Sequence, residues 1–574
     1  MDNNEQIPHK PMVLIALIQG FCLLYLHQAI EIGFWPNNNP QWLFAFYSVA
    51  LSLPLMLLLS INHDNIPKIL KYTLPFTLLS GLLGYYIGNQ ATPIEYISYD
   101  ALLFSYALTI GLASFKALIY IQQIAANEPI TYSNLFRWSW RNFLTLSLSF
   151  LFAGSFWLIL LLWGALFQAI NIDFFKVLFE EAWFYYPAIA LANGFGIIIF
   201  RRLSHVIDTI KRLQQALMKF LLILIVLVAI LFLFALPFTG LTPLWESGGS
   251  ELILWMQALI LFFVNAVYQD KPDQRPYSLW LHRFVYFGIA LLPIYSAISF
   301  YGLSLRVDQY GWSLARCWAF LVWFLLTLFP LGYLWGIVKK HDNWTTQLSR
   351  VNVIVGLAIL SIMMIINSPL LDFRKVVVND QLVRLEKNEI SIENFDISYF
   401  RYKLARPGYE AIQNIKEKYA TTNPEIVIRI NQLYYNYENN QPSSSKEEFI
   451  SAITILSDKT PPDLLDQIYE NENDQPWQLE NTQKYYLQSL DLNKDSQNDY
   501  LLVSQRSDNI FLNLYYFEKG KWEKLFMSTT AENPREDLNE LFIKALKNNE
   551  FKITTPKWNH IEIEGMKFQI GIEP

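Results

Sequence analysis

Long apolar runs dominate the first 370 residues of this chain and constrain its fold more than any other feature. A helix needs about 20 mostly apolar residues to cross the hydrocarbon core of a bilayer. Runs of this kind lie near residues 12–30, 41–61, 70–88, 101–122, 142–168, 183–200, 217–238, 250–267, 281–302, 313–338 and 350–367. The sequence therefore predicts a polytopic α-helical membrane protein with about 11 transmembrane helices.

The composition separates this membrane part from a water-soluble part. Of the 574 residues, 53% are hydrophobic and only 16% are charged, which is too apolar for a set of soluble domains. Residues 1–370 carry a small excess of Lys and Arg, whereas residues 371–574 are net acidic. An acidic soluble part does not match a phosphate backbone, so no nucleic acid is expected as a partner. Both cysteines, Cys22 and Cys317, lie in apolar runs, so the soluble part has no disulfide.

The basic residues between the runs predict the orientation. One set of alternate connections contains most of the Lys and Arg in residues 1–370, and the other set contains only Lys176, Arg306 and Arg316. Cytoplasmic loops are enriched in basic residues, so we expect a cytoplasmic N-terminus. With an odd number of spans, the C-terminal domain lies outside the cytoplasm. Arg374 and Lys375 do not fit this pattern, but long exported domains contribute little to it.

After the last run the pattern becomes that of one soluble α+β domain, residues 371–574, following a transmembrane domain of residues 1–370. Apolar residues at helical spacing predict helices near 408–420, 424–437 and 446–457. From about residue 484, alternation predicts strands, including 500–503 and 510–517, with a hairpin turn at 518–521. A helix near 535–548 and closing strands within 551–573 complete this exported domain, which would be periplasmic in a bacterial inner-membrane protein.

The connection before the tenth run contains a cluster of charged and aromatic side chains. Its members are Arg306, Asp308, Tyr310, Trp312 and Arg316. Arginine grips phosphate and carboxylate groups bidentately, so the cluster is a candidate site for an anionic head group or substrate. The alternative is a membrane anchor, in which the two aromatic rings lie at the interface, Ser313 caps the next helix, and Arg306 pairs with Asp308.

Asn193 is a polar residue inside the sixth run and is followed by Gly194 and Gly196. Such a residue can mark a broken helix that lines a substrate path, or it can join two closely packed helices by hydrogen bonds. Lys116, Gln257 and Asn265 are other polar residues within the runs. Lys116 lies towards the end of its run, where its ammonium group can reach the interface.

The segment from Asp491 to Asp499 has the spacing of a calcium loop. Asp491, Asn493, Asp495 and Asp499 offer side-chain oxygens at the first, third, fifth and ninth positions, and Gln497 offers a backbone carbonyl at the seventh. The loop lacks the glycine and the bidentate glutamate of an EF-hand. An Asx-rich turn without metal has the same residues, so calcium is the one cofactor suggested and both interpretations stay open.

No motif in the chain predicts catalysis. A nucleophile elbow, a Walker loop, an HExxH pair and a CxxC pair are all absent from the sequence, and its seven histidines are scattered. No catalytic residue is therefore predicted.

The order of these features resembles a bacterial membrane family known as domain-of-unknown-function family 4153. The resemblance rests on the block of apolar runs, the Arg…Tyr-Gly…Arg pattern of residues 306–316, residues 396–402 after the last run, and the loop of residues 491–499. It implies a location in the bacterial inner membrane and supplies no activity.

These features predict a multi-pass inner-membrane protein whose exported domain binds, senses or scaffolds a component of the cell envelope. Besides the lipid bilayer, the expected partners are an envelope protein or a lipid-linked ligand. The alternatives are a transporter or channel for a small or lipid-linked solute, and an enzyme acting on lipid-linked substrates. A transporter should contain a polar cavity through the helix block, whereas a binding protein should have a tightly packed block and a groove on its soluble domain.

Overall fold

The chain forms two compact units, Met1–Tyr434 and Tyr435–Pro574. The structure is a computed structural model, and it describes residues 7–97, 100–246, 249–268, 276–434, 446–456, 460–473, 482–492, 497–506, 509–518, 520–527, 538–548, 550, 561–563 and 566–568.

The first unit consists of helices. A block of thirteen comes first: α1 (His9–Ile32), α2 (Pro40–Ser60), α3 (Ile66–Asn89), α4 (Asp100–Ala125), α5 (Tyr132–Gln168), α6 (Phe174–Glu180), α7 (Ala182–Arg202), α8 (Ser204–Thr239), α9 (Thr242–Glu246), α10 (Ser250–Val267), α11 (Leu279–Tyr310), α12 (Leu314–Lys340) and α13 (Thr345–Ile365). Four helices follow, which we call the cap: α14 (Phe373–Glu386), α15 (Ile397–Lys403), α16 (Ala405–Tyr419) and α17 (Pro424–Leu433).

Nine helices in the described part of the chain are long and apolar enough to cross a membrane, namely α1, α2, α4, α5, α7, α8, α11, α12 and α13. The predicted membrane block is therefore confirmed. Each of the eleven apolar runs coincides with a helix, and the two outside this set are α3 and α10. Helix α3 carries Lys68 and Lys71 in its first turns, and the apolar stretch of α10 is confined to Glu251–Val267.

Helix α3 packs closely along α2 because it presents glycines to that helix. A Cβ atom at Gly84 would lie 2.7 Å from the Ser48 hydroxyl and 2.8 Å from the Phe44 carbonyl, and one at Gly81 would lie 3.1 Å from the Val49 side chain. Small residues let helices approach closely and so gain packing energy. This contact buries one face of a helix that is less apolar than its neighbours.

Helices α4 and α13 run antiparallel, which defines the two ends of the block. Tyr120 donates to the Val353 carbonyl at 3.0 Å near one end, and the Asn367 amide donates to the Thr109 hydroxyl at 2.8 Å near the other. The end at which α4 ends and α13 begins is called the basic end, because the adjoining connections contain most of the Lys and Arg. The opposite end, from which α13 leads to α14, is called the cap end.

The cap shares its hydrophobic core with the block. Val377 of α14, Phe400 of α15 and Ile412 of α16 are buried together, and Cys317 of α12 belongs to the same cluster. The division between the two compact units accordingly falls after Tyr434, whereas the sequence suggested a boundary at residue 370. The assignment of residues 371–574 to one exported domain stays a prediction.

The second unit is built around a five-stranded sheet. Its elements are α18 (Lys446–Ala452), β1 (Ile453–Ile455), α19 (Pro462–Asn473), β2 (Thr482–Leu490), β3 (Asp499–Arg506), β4 (Asn509–Glu518), β5 (Lys521–Met527), α20 (Leu538–Lys547), β6 (Ile561–Ile563) and β7 (Met566–Phe568). The strand order is β1-β2-β3-β4-β5, with β1 parallel to β2 and the other neighbours antiparallel. Strands β6 and β7 form a separate antiparallel pair.

Alternation along the strands gives this sheet two buried faces. Leu487 and Leu502 pack with Ile468 of α19 on one face, whereas Val503 packs with Ile543 of α20 on the other. The α+β character predicted for this region is confirmed. The helix predicted over 446–457 is wrong at its end. Helix α18 ends at Ala452, and the β-branched residues that follow form β1, which pairs with β2. Residues 551–560 of the predicted closing strands lie outside the described residues.

Candidate functional site

Residues 306–316 end α11, turn, and begin α12 at the cap end of the block. Helix α11 ends at Tyr310, and Gly311 then adopts φ 72° and ψ −175°. Residues with a side chain rarely adopt this conformation. Ser313 caps α12, since its hydroxyl accepts the backbone N–H of Arg316 at 3.3 Å. The predicted helix cap is thus present at this turn.

Helix α14 of the cap holds this turn in place. The Asp380 carboxylate accepts the Trp312 N–H at 2.7 Å, and the Gln381 amide donates to the Trp312 carbonyl at 3.0 Å. Arg384 donates to two carbonyls in the last turn of α11 at 3.3 and 3.2 Å. A Cβ atom at Gly311 would lie 2.6 Å from both Asp380 Oδ2 and Gln381 Nε2. We call the turn and these three α14 side chains the latch.

Helix α15 adds a further contact to the start of α12. The hydroxyl of Tyr399 accepts the N–H of Leu314 at 2.8 Å. Burial is the main cause that raises the pKa of Tyr399. Its hydroxyl therefore stays neutral at physiological pH and retains its hydrogen-bonding proton.

Of the side chains predicted to bind an anion, Arg316 bonds to the turn itself, whereas Arg306 and Asp308 are exposed. Arg316 donates to the Gly311 carbonyl at 2.6 Å, and its guanidinium lies 5.4 Å from the centre of the Tyr310 ring. Arg306 and Asp308 are exposed, and the ion pairs found among the described residues do not join them. The expected Arg306–Asp308 pair is therefore wrong. Anion binding by the cluster stays a prediction.

Asn193 lies where α7 meets α5, within a continuous helix. Ser149 of α5 lies 2.6 Å from the Asn193 side-chain oxygen and 2.7 Å from its carbonyl. Cβ atoms at Gly196 and Gly194 would lie 2.7 Å from the Ser149 hydroxyl and 2.6 Å from Ala16. The geometry is that of close helix packing joined by a hydrogen bond, and a role in a substrate path stays a prediction.

The candidate calcium loop is only partly described. Asn493 and Asp495 lie outside the described residues. Asp499 is buried at the start of β3, and its carboxylate accepts the Leu492 N–H at 3.0 Å, which joins the two ends of the loop. No metal-binding group of three or more His, Cys, Asp or Glu residues occurs in the described parts of the chain. Calcium binding through Asp491, Gln497 and their neighbours stays a prediction.

A polar pocket of about 520 Å³ lies at the cap end, between the end of α3, helix α14 and the start of α16. We call it the cap pocket. Its lining includes Asn89, Lys375, Asn379, Arg406, Glu410 and Asn414. Two cations against one carboxylate give the lining a net positive charge, and the amide side chains add both donors and acceptors.

Arg406 ties the two sides of the cap pocket together. Its backbone N–H donates to the Gln90 carbonyl at 3.0 Å, which joins α16 to the residue after α3. Its guanidinium lies 2.8 Å from Glu410 and 3.3 Å from the side-chain oxygen of Asn89. In contrast, Lys375 has no hydrogen bond or ion pair with any residue that the structure describes.

A buried ion pair fixes helix α14 beside this pocket. The Arg374 guanidinium donates to both carboxylate oxygens of Asp372, at 2.8 and 2.7 Å, and the two side chains are only 9% and 2% exposed. Tyr86, which lines the pocket from α3, donates to the same carboxylate at 2.8 Å. Asp372 also caps α14 by accepting the Arg374 N–H. The pocket therefore has one rigid wall.

A second cavity of about 410 Å³ lies within the block, towards the basic end, where α4, α5, α10 and α13 meet. We call it the block cavity. Much of its wall is aromatic, from Phe115, Phe136, Trp140, Phe143, Phe262 and Phe329. Lys116 is the charged residue in this wall, and it has no hydrogen-bond or ion-pair partner elsewhere in the described parts of the chain.

A hydrogen-bonded cluster forms one polar side of the block cavity. The Asn352 amide donates to Asn265 Oδ1 at 2.6 Å, and the Tyr333 hydroxyl lies 2.9 Å from the same oxygen. Tyr132 donates to the Asn265 carbonyl at 2.6 Å. Asn265, Asn352 and Tyr132 line the cavity, whereas Tyr333 is fully buried behind them.

The sequence analysis identified only some of the residues that line the cap pocket and the block cavity. Lys116 and Asn265 were identifiable as polar residues in apolar runs, but nothing in their spacing shows that they share a cavity. Asn352 lies at the start of the last run, where a polar residue is ordinary. The cap pocket was missed because its residues extend from α3 to α16 along the chain.

A family model described as "Domain of unknown function (DUF4153)" matches residues 20–415. This match covers most of the block and the cap up to α16. No curated protein and no solved structure matches the chain significantly.

Proposed function

Since the chain belongs to the DUF4153 family, we propose that its helix block and cap bind the polar head of a cell-envelope molecule in the cap pocket. The observation that carries this proposal is the net positive, amide-rich lining, in which Lys375 has no described partner. A phosphate or carboxylate would pair with Lys375, and hydroxyl groups would bond to Asn379 and Asn414. The ligand class is therefore an acidic, hydroxyl-bearing head group, such as that of a lipid-linked sugar.

The proposed location is the inner membrane, with the cap end in the periplasm. Two features support this orientation. Basic residues concentrate in the connections at the basic end, as in cytoplasmic loops. At the cap end, the charge of Arg374 is balanced by Asp372. A pocket between the membrane block and the cap is then open to head groups of the outer leaflet.

The sheet unit is proposed as an accessory to this binding function. The family match ends at residue 415, whereas the second unit begins at Tyr435. Envelope sensing or scaffolding, with or without calcium at residues 491–499, is the contribution we propose for it. Binding at the cap pocket does not require this unit.

Native mass spectrometry of the full chain in phosphatidylcholine nanodiscs tests the proposal. The protein is incubated with a total lipid extract of bacterial inner membranes, and retained molecules are identified. We expect an acidic, hydroxyl-bearing lipid on the wild type and its loss in Lys375→Gln and Asn414→Ala. Lys387→Gln, an exposed lysine just after α14, is the matched control and should retain it. Equal retention by all variants would contradict the proposed site.

A transporter for a lipid-linked solute is the second candidate function. It is favoured by the block cavity, which places a largely aromatic space with one lysine towards the other end of the same helix block. Transport requires that a ligand pass between the two leaflets. Proteoliposomes containing a fluorescent analogue of the retained lipid would distinguish the candidates, because a binding protein leaves its leaflet distribution unchanged.

A further inference from the structure

Lys116 cannot easily place its charge at the basic end of the block. It lies nine residues before Ala125, the last residue of α4. At about 1.5 Å per residue, this distance is about 14 Å along the helix, which exceeds the length of a lysine side chain. In addition, the Cα–Cβ bonds of a helix tilt towards its N-terminus, which here is the opposite direction. The ammonium group therefore belongs to the block cavity.

An ammonium group without an acidic partner is energetically unfavourable beside a largely aromatic wall, because this surface replaces part of its hydration. The residues lining the block cavity in the described structure include no Asp or Glu. Ionisable residues inside membrane helices usually pair with another group or serve a ligand. An anion from outside the chain would therefore be a suitable partner for Lys116.

Asn265 supplies a second group suited to an anion. The Asn352 amide donates to its side-chain oxygen at 2.6 Å, and the Tyr333 hydroxyl, which has one proton, contacts both this oxygen and the side-chain oxygen of Asn352. These contacts fix the orientation of the amide, and its Nδ2 has no acceptor among the residues that the structure describes. A positive charge and an oriented N–H donor in one cavity match the needs of a carboxylate or phosphate.

The remaining wall suits an apolar chain. Phe115, Phe143 and Phe262 belong to its aromatic part, and the cavity volume of about 410 Å³ lies in the lower half of the range for small-molecule sites. One chain with its head group fits this space better than a complete two-chain lipid. Lys211 also lies 5.5 Å from the ring centre of Phe136, so a further cation is close to the wall.

We propose that the block cavity binds an anionic amphiphile, with its acidic head between Lys116 and Asn265 and its chain among the aromatic rings. This site is separate from the cap pocket and does not depend on the function proposed there. The acidic head can belong to a free fatty acid or to an anionic membrane lipid that inserts one chain. The two sources share the same chemistry at Lys116.

Binding to the full chain in phosphatidylcholine nanodiscs tests this site. The probes are oleate and phosphatidylglycerol as anions, with oleyl alcohol as the uncharged equivalent of oleate. Affinity is measured from the shift in thermal unfolding as each probe is added. Because loss of a charge-assisted hydrogen bond weakens binding, Lys116→Met should reduce anion affinity by about 10- to 100-fold. It should leave the affinity for oleyl alcohol unchanged.

Two further variants make the result decisive. Lys116→Arg keeps the charge and should restore most of the anion affinity, whereas Lys71→Met removes an exposed lysine of α3 and should have no effect. Removal of an unpaired charge does not destabilise the fold, so Lys116→Met should fold normally. A response to oleate supports a free acid, and a response to phosphatidylglycerol alone supports a bilayer lipid. Equal anion affinity in the wild type and Lys116→Met would overturn the proposal.

Discussion

Substitution of Gly311 by alanine should detach the cap from the turn between α11 and α12. Two effects act together at this position. The backbone angles, φ 72° and ψ −175°, are accessible essentially to glycine alone. The new Cβ would also lie 2.6 Å from Asp380 Oδ2 and Gln381 Nε2, so both side chains would have to move. Their movement removes the hydrogen bond from Trp312 to Asp380.

The expected cost follows from these two effects. Backbone strain of this kind costs about 1–3 kcal/mol. Loss of a hydrogen bond to a charged acceptor costs about 1.5–3 kcal/mol. Gly240 is a matched control, because it has φ 72° and ψ −178°, and a Cβ atom added there would have no neighbouring atom within 4 Å. Gly240→Ala should therefore have the same backbone strain, but its Cβ should displace no neighbouring side chain.

Hydrogen exchange of the intact protein, read by mass spectrometry, measures the effect where it arises. Each 1.4 kcal/mol lost from the opening free energy speeds exchange about tenfold. We expect the amides of α14–α17 to exchange at least about tenfold faster in Gly311→Ala and at the wild-type rate in Gly240→Ala. If the cap exchanged at the same rate in both variants, the latch would not be what holds it.

Three other results are expected. Alkaline phosphatase fused after Glu246 should be active and the same reporter after Asp342 inactive; activity at Asp342 would invert the proposed topology. Asp372→Asn should destabilise the first unit by about 3–5 kcal/mol in thermal or denaturant unfolding, because it leaves a buried guanidinium unpaired. Glu410→Gln, in an exposed pair with Arg406, should cost at most about 1 kcal/mol, and equal losses would refute the role of burial. A chain ending at Tyr434 should insert and purify as a folded protein, because the first unit is compact by itself; aggregation of this shorter protein would contradict that division.

The membrane helices could be predicted from the sequence because the bilayer imposes a simple rule on length and hydropathy. The run at residues 217–238, for example, could hardly be anything other than part of α8. The strands β3 and β4 were also evident from alternation. The end of α18 was not, because Ile453 and its neighbours suit both a helix and a strand, and pairing with β2 decides between them.

The candidate sites could be predicted less well, because they depend on residues that are distant in the chain. The pattern at 306–316 was recognised, but its contacts come from Asp380 and its neighbours, which lie beyond two further helices. The sequence left an anion site and a membrane anchor open for this segment, and the structure adds that α14 holds its turn. Lys116 could be identified in the sequence as a charged residue in an apolar run. That no acidic residue lies beside it among the described residues of its cavity could not be predicted, because the cavity is formed by several helices that are distant in the chain.

Two of the attachments between the cap and the block lie on different sides of the cap. One is the latch at Gly311, and the other is Arg406, whose N–H bonds to Gln90 after α3. A lid with one attachment can swing, whereas an element with two attachments and a shared core cannot rotate without breaking one of them. Exchange of a head group at the cap pocket would then depend on side-chain rotation, which is faster than a domain movement. The fraction of cap pockets that hold a head group would then change soon after the lipid composition of the surrounding leaflet changes.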